Sequence, residues 1–244
     1  MAGFKTHITT STALGIGYGT VANLGYGVPL EHCLLAGALC SVSGMLPDLD
    51  SDRGIPLRES LAFGAAVVPM LLVDRFQHLG LKTDVIVLIS AGIYLAIRFG
   101  LGAMLRTYTR HRGMFHSIPT AIIFAELAFL ICDCHEINVR LFKAAAVFLG
   151  VMSHLVLDEI YSIRVRGLRL QFKRSFGTAL KLWDKVWWAN VSAYAKLILL
   201  TYIVLNEPAW MASHRRPPDR PNFLQGPLQP DQPRAAKTYA PPRL

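Results

Sequence analysis

Asp84-Val85-Ile86-Val87-Leu88-Ile89-Ser90-Ala91-Gly92-Ile93-Tyr94-Leu95-Ala96-Ile97-Arg98-Phe99-Gly100-Leu101-Gly102-Ala103-Met104-Leu105 decides the fold. Beyond the Asp84 that opens it, Arg98 is its only charged side chain. About 20 residues of helix cross the roughly 30 Å hydrocarbon core of a bilayer, so this stretch reads as a transmembrane helix. A few residues on stands a polar knot, His111-Arg112-Gly113-Met114-Phe115-His116-Ser117, directly before the next apolar run, Ile118 to Ile131. Two imidazoles and a guanidinium are costly at a membrane boundary unless something binds there. On a continuous helix His111 and His116 would point roughly 140° apart, so they converge only where the backbone breaks. Gly113 permits such a break, and Ser117 followed by Pro119 suits the N-cap of the next helix. The plainer reading is a basic interfacial loop with two incidental histidines.

Composition agrees with a membrane protein. The 244 residues are 52% hydrophobic and 17% charged, and mean hydropathy is +0.37. The net charge of +9 would suggest nucleic acid in a soluble chain, but no recognition motif accompanies it. Here it reads as positive-inside loops and contacts with anionic lipid. Cys33, Cys40, Cys132 and Cys134 form no C-x-x-C pair and read as small buried residues. No cleavable signal peptide is evident, which keeps the first hydrophobic segment in the protein.

Apolar segments recur at Thr12 to Val28, Leu30 to Leu46, Leu61 to Val73, Asp84 to Leu105, Ile118 to Ile131, Leu141 to Leu157 and Val191 to Leu205. They predict an all-α polytopic membrane protein of six to seven transmembrane helices arranged as hairpins. The helical domain spans 1–205. Residues 206–244 hold nine of the fourteen prolines without apolar periodicity and are expected to be a disordered or extended tail. Counting crossings from His7, two helices bring the chain to Asp48 and Asp50, two more to His111 and His116, and two more to His154 and Asp158. All these groups therefore fall on one membrane face. His32, His78, His135 and His214 fall on the other face or in the tail.

His154 and Asp158, at i and i+4 near a helix end, share one face about 6 Å apart. Asp48 and Asp50 follow Pro47 and would point the same way in an extended segment, where a cation would relieve their repulsion. Helix capping and an ordinary acidic turn are the plainer alternatives. Mixed His and Asp ligands suit zinc first, and manganese or iron also, rather than calcium or copper(I). H-E-x-x-H, G-x-S-x-G and P-loop patterns are absent from the sequence. Ser117 and Ser153 read as caps or as partners of the ligands. Arg164 to Arg174 alternates basic and apolar residues over Leu168 to Phe172 like a surface ribbon, and Trp183, Trp187 and Trp188 resemble an interfacial belt.

Leu46-Pro47-Asp48-Leu49-Asp50, His111-Arg112-Gly113 with His116-Ser117, and Gly150 with Ser153-His154 and Asp158 together resemble the bacterial membrane-bound metal-dependent hydrolase family of YdjM-like, LexA-regulated inner-membrane proteins. The resemblance covers roughly residues 5 to 185. It implies a hydrolase with a suggested distant relation to zinc-dependent phospholipase C. It also implies His7, Asp48, Asp50, His111, His116, His154 and Asp158 as metal-site residues. His7 owes its place to the membrane face and to this resemblance. Phe115, Ser51 and Glu159-Ile160-Tyr161 depart from the usual pattern, where a threonine, a histidine and a smaller continuation are common.

The expectation is a multi-pass protein of the bacterial inner membrane that binds a divalent metal and hydrolyses a phosphoester or phospholipid through a metal-activated water. Asp50 or Asp158 would be the general base, with Arg110, Arg112, Arg169 and Arg174 holding the anionic substrate. Membrane lipids are the expected partners, and nucleic acid is not. The rival is a non-enzymatic membrane protein, either a metal transporter or a scaffold, with a structural polar cluster. Lys and Arg gather on the motif face (Lys5, Arg53, Arg58, Arg106, Arg110, Arg112, the Arg164 to Arg174 run, Lys181 and Lys185), while the opposite short loops hold Arg75, Lys82, Arg140 and Lys143. The motif face is therefore predicted to be cytoplasmic. A cysteine introduced at position 52 should stay unlabelled by a membrane-impermeant maleimide in intact cells; labelling from outside would reverse the orientation.

Overall fold

The computed structural model describes residues 3–50, 55–101, 103–104, 114, 116–132, 136–166, 169–172, 177, 180–208 and 210–211, without the side chains of 49–50, 55–56, 59, 164–166 and 169–172. In chain order the helices are α1 Phe4–Tyr26, α2 Leu30–Ser43, α3 Ile55–Leu71, α4 Val73–His78, α5 Thr83–Leu95, α6 Ile118–Ile131, α7 Ile137–Ile160 and α8 Trp187–Leu205. A 3-10 turn, Leu46–Asp50, follows α2, and a π-helical stretch, Ala96–Leu101, continues α5. A two-stranded antiparallel ribbon, β1 Ile163–Arg166 and β2 Arg169–Phe172, follows α7 with Ile163 opposite Phe172.

The protein is an all-helical membrane protein with one small ribbon. Among the described residues five stretches are long and apolar enough to cross a bilayer: Leu30–Asp48, Ser60–His78, Thr83–Leu101, Ile137–Ile160 and Trp187–Leu205. The other two apolar segments fall short for different reasons. α6 has 14 residues, about 21 Å of helix against a core of about 30 Å. α1 is long enough, but glycine, serine and threonine dilute its apolar content. It also begins at Phe4, well before the apolar run that starts near Thr12, so His7 lies within the helix instead of in a polar lead-in.

α7 is the centre of the bundle. It packs on α1, α2 and α6, and α6 in turn packs on α8. Half of α7's most apolar stretch is buried in protein, against 6% for Thr83–Leu101 and 11% for Trp187–Leu205, which turn their apolar side chains outward, as lipid contact requires. α3 and α5 form a separate hairpin, with Ile97 and Leu101 packed on Leu57 and Leu61. Leu46 packs on the same pair and ties this hairpin to the 3-10 turn.

Small residues let the central helices approach closely. A Cβ on Gly15 of α1 would lie 2.5 Å from the Gly37 carbonyl oxygen of α2, and one on Gly19 would lie 3.0 Å from that of Cys33. At the end away from the motifs, the Tyr18 ring stacks on Phe142 at 4.7 Å and its hydroxyl donates to the Phe142 carbonyl at 3.0 Å. Cys33, Cys40 and Cys132 are buried and form no disulfide among the described residues.

Two sequence expectations need correcting. Asp48 and Asp50 lie on a 3-10 turn instead of an extended segment, where positions two apart differ by about 120° and do not share a face. Arg140 and Lys143 are not loop cations: both sit within α7, 1% and 4% exposed. The Arg140 guanidinium donates to the Phe129 carbonyl and to Glu207, lies 4.3 Å over the Phe129 ring, and shares Glu207 with Arg75. Glu207 thus joins the chain just beyond α8 to α7 and α4.

Gly15→Val should clash at the α1/α2 contact, lowering the thermal midpoint of the detergent-solubilised protein by an amount equivalent to about 1–3 kcal/mol. Gly17→Val, whose Cβ would meet nothing within 4 Å, should leave the midpoint unchanged. Equal effects from the two would contradict the helix pairing.

Candidate metal centre

Three helix ends and one turn bring polar side chains to one point. His7 comes from the first turns of α1, Asp48 from the 3-10 turn, His116 from the residue before the α6 cap, and His154 and Asp158 from the last turns of α7. Local chemistry fixes each approach. α2 ends at Ser43, and Pro47 belongs to the tighter 3-10 turn, where the Asp48 N–H donates to the Met45 carbonyl at 3.1 Å. Ser117 is the N-cap of α6, its Oγ accepting from the Thr120 N–H at 3.4 Å, and the Ile118 N–H donates to the Lys181 carbonyl at 3.2 Å. Those two bonds set where His116 leaves the chain. Lys181 is fixed in turn by Asp184, whose backbone exchanges hydrogen bonds with the Asn190 side chain on α8.

His7 Nε2 lies 3.3 Å from Asp158 Oδ1. His116 Nε2 is 3.6 Å from Asp48 Oδ1 and 3.9 Å from Asp158 Oδ2. His154 Nε2 is 3.6 Å from Asp48 Oδ1 and 3.8 Å from Asp158 Oδ2. The His7 and His154 rings stack at 3.7 Å with 12° between their planes, and His116 meets His154 edge-on at 5.4 Å. The three imidazoles and Asp158 are almost wholly buried, whereas the Asp48 side chain keeps 21% of its surface. Asp48 therefore marks the open side.

These separations exceed the 2.7–3.2 Å of an N–H···O hydrogen bond. They approach the roughly 3.3–3.4 Å between neighbouring ligands of a tetrahedral ion whose bonds are about 2.0–2.1 Å long. His154 Nε2 is buried with no hydrogen-bond partner among the described residues, which is costly for a nitrogen that nothing binds. Two carboxylates, the buried Asp158 and the partly exposed Asp48, converge on three imidazoles, a donor set whose negative charge one divalent cation would offset. The residues present therefore fit a metal ion. They form two overlapping triads, His7 with His154 and Asp158, and Asp48 with His116 and His154, each with ligand atoms within 4.8 Å of one another. A single Nε2 lone pair serves one ion, so His154 cannot complete both triads at once. Asp158 faces His7 with one oxygen and His116 and His154 with the other.

Of the residues singled out in the sequence, His7, Asp48, His116, His154 and Asp158 lie together. His111, Arg110, Arg112 and Arg174 lie outside the described residues, as do the side chains of Asp50 and Arg169, whose backbones belong to the 3-10 turn and to β2. One participant escaped the sequence reading: the Gly44 carbonyl, which accepts from His154 Nδ1 at 2.7 Å. Backbone groups leave no residue-type signature; the only hint was a helix about to end before Pro47.

A buried His/Asp cluster at the helix ends of a polytopic bundle defines a membrane protein with a possible metal site. The chain belongs to the YdjM inner membrane protein family, whose model matches residues 1–213. Searches of curated proteins and of solved structures return no match. Purified protein should carry a divalent ion, and His116→Ala and His154→Ala should each cut the bound metal to a minor fraction at unchanged helical content, measured by elemental analysis and circular dichroism.

Proposed function

We propose that the protein is a membrane-bound metal-dependent hydrolase acting on a phosphoester, with zinc as the first choice of ion and manganese or iron as alternatives. The observation that supports this most is the buried donor set, with imidazole-to-carboxylate separations of 3.3–3.9 Å and His154 Nε2 facing both carboxylates at 3.6 and 3.8 Å. Bound there, such an ion would supply a water acidic enough to act as hydroxide near neutral pH and would polarise the bond under attack.

The chain's own residues supply the rest. His7, His116 and His154 present nitrogen donors, and Asp48 and Asp158 present oxygen donors. Asp158 or Asp50 takes the proton of the attacking water with a carboxylate oxygen not engaged as a ligand. Asp48, the more exposed carboxylate, lies where substrate would enter. Arg110, Arg112, Arg169 and Arg174 belong to the segments flanking the cluster in sequence, and guanidinium groups suit bidentate contact with a phosphate. That chemistry favours a phosphoester, in a phospholipid or in a soluble molecule, over a peptide.

Burial supports a second reading. Structural metal sites are closed, whereas catalytic ones keep a position open, and most of this cluster is sealed. On that reading the ion cross-links α1, α2 and α7 and no turnover follows. Transport is less favoured, because the groups sit at helix ends and not in interrupted helices at the bilayer midplane.

Detergent-purified protein assayed on a panel of phospholipids and soluble phosphoesters should show turnover that chelation abolishes and that Asp158→Ala lowers by at least about a hundredfold, in keeping with loss of a general base or ligand. Activity indifferent to both treatments would remove the mechanism. Stoichiometric metal with no turnover on any member of the panel would favour the structural cross-link.

A further inference from the structure

The geometry points to the C-terminal end of α2 as the element that fixes the tautomer of His154, with Ser11 of α1 and Gly150 of α7 as the positioning residues that hold that end in place. The last carbonyls of a helix lack partners within it and carry the negative end of its dipole. Around the end of α2 most find one elsewhere. The Cys40 carbonyl accepts from the Gly44 N–H, that of Val42 from the Met45 N–H, and that of Ser41 from Ser11 Oγ at 2.7 Å. The Gly44 carbonyl turns to His154 Nδ1, at 2.7 Å and buried. A carbonyl oxygen only accepts, so Nδ1 must carry the proton and Nε2 keeps its lone pair. That lone pair faces Asp48 and Asp158. One helix end thus holds both sides of the ring: its carbonyl meets Nδ1, and the 3-10 turn that follows places Asp48 before Nε2.

The carbonyl is where it is because three helices meet there without slack. A Cβ on Gly44 would lie 2.5 Å from Ser11 Cβ and Oγ, and 3.4 Å from the Gly150 carbonyl oxygen. A Cβ on Gly150 would collide with Ser43 Oγ and the Cys40 carbonyl. Enlarging Gly150 must push α2 away from α7 and lengthen the bond to His154. Removing the Ser11 hydroxyl frees the Ser41 carbonyl and loosens the same turn. The inference rests on the proposed metal role only for its purpose, since the tautomer exists with or without an ion.

The test uses metal-free protein in detergent, with ring-15N-labelled histidine and the His154 signals assigned by their loss in His154→Gln. A single Nδ1–H tautomer is expected for His154. Ser11→Ala and Gly150→Ala should mix the tautomers and weaken zinc binding about 10- to 100-fold in chelator competition, the range seen when partners of metal-bound histidines are lost. Ser11→Ala is the milder change and keeps the test decisive if Gly150→Ala does not fold. An Nε2–H or averaged tautomer in the unsubstituted protein overturns the inference. So does a fall in the thermal midpoint of Ser11→Ala with tautomer and zinc affinity unchanged, which is what a purely structural role would give. An Nδ1–H tautomer in a protein that binds no zinc, manganese or iron leaves the inference standing and removes the proposed metal role.

Discussion

The bond between His154 Nδ1 and the Gly44 carbonyl joins the two helices on which the cluster depends. Behind it stands an ordinary difficulty of helix architecture: α2 must end inside the protein, where its final carbonyls have no water to turn to. The difficulty is met by side chains from α1 and α7, and meeting it orients an imidazole. Stability and the candidate site therefore share one set of contacts. The close approach of α1, α2 and α7 that buries small residues is the same approach that brings His7 flat against His154.

A cluster so enclosed sits uneasily with a membrane location unless its charge is balanced. Water at the helix ends is nearby, but the three imidazoles and Asp158 are shielded from it by the bundle. Of its described side chains only Asp48 keeps appreciable contact with the outside. Among the described residues, access is thus from the side of the 3-10 turn. That turn is also where the α3/α5 hairpin rests, through Leu46 on Leu57 and Leu61. The hairpin is also tied to the central bundle through Arg75 of α4 and Glu207, so the approach to the cluster lies beside the joint between hairpin and bundle.

Much of this was readable from the chain. Hydropathy gave the helices, because lipid-facing and core-facing positions are both apolar, and counting crossings explains why residues far apart in sequence reach the same end. Hydropathy misplaced the start of α1, since the inward face of its first turns carries His7 and Ser11 and looks polar. It also took Arg140 for a loop residue, although Glu207 and the Phe129 ring make its burial tolerable. The Asp48 turn was misjudged because a proline after a helix excludes more helix without choosing between extended chain and a 3-10 turn. Contacts made by backbone atoms, such as that of Gly44, are beyond any reading of residue types.

The Arg140–Glu207 pair bears on how the protein is made. Its members are separated by 67 residues, which a ribosome adds in roughly 3 to 13 s at about 5–20 residues per second. During that interval α7 has been synthesised but its guanidinium lacks the carboxylate that later lies against it. The central helix of the bundle cannot make this contact until the chain has passed α8 and Glu207 has emerged. Completion of this contact is in that sense gated by the segment after α8, and a nascent chain arrested before Glu207 would hold the Arg140 guanidinium against Phe129 without the carboxylate it has in the finished protein.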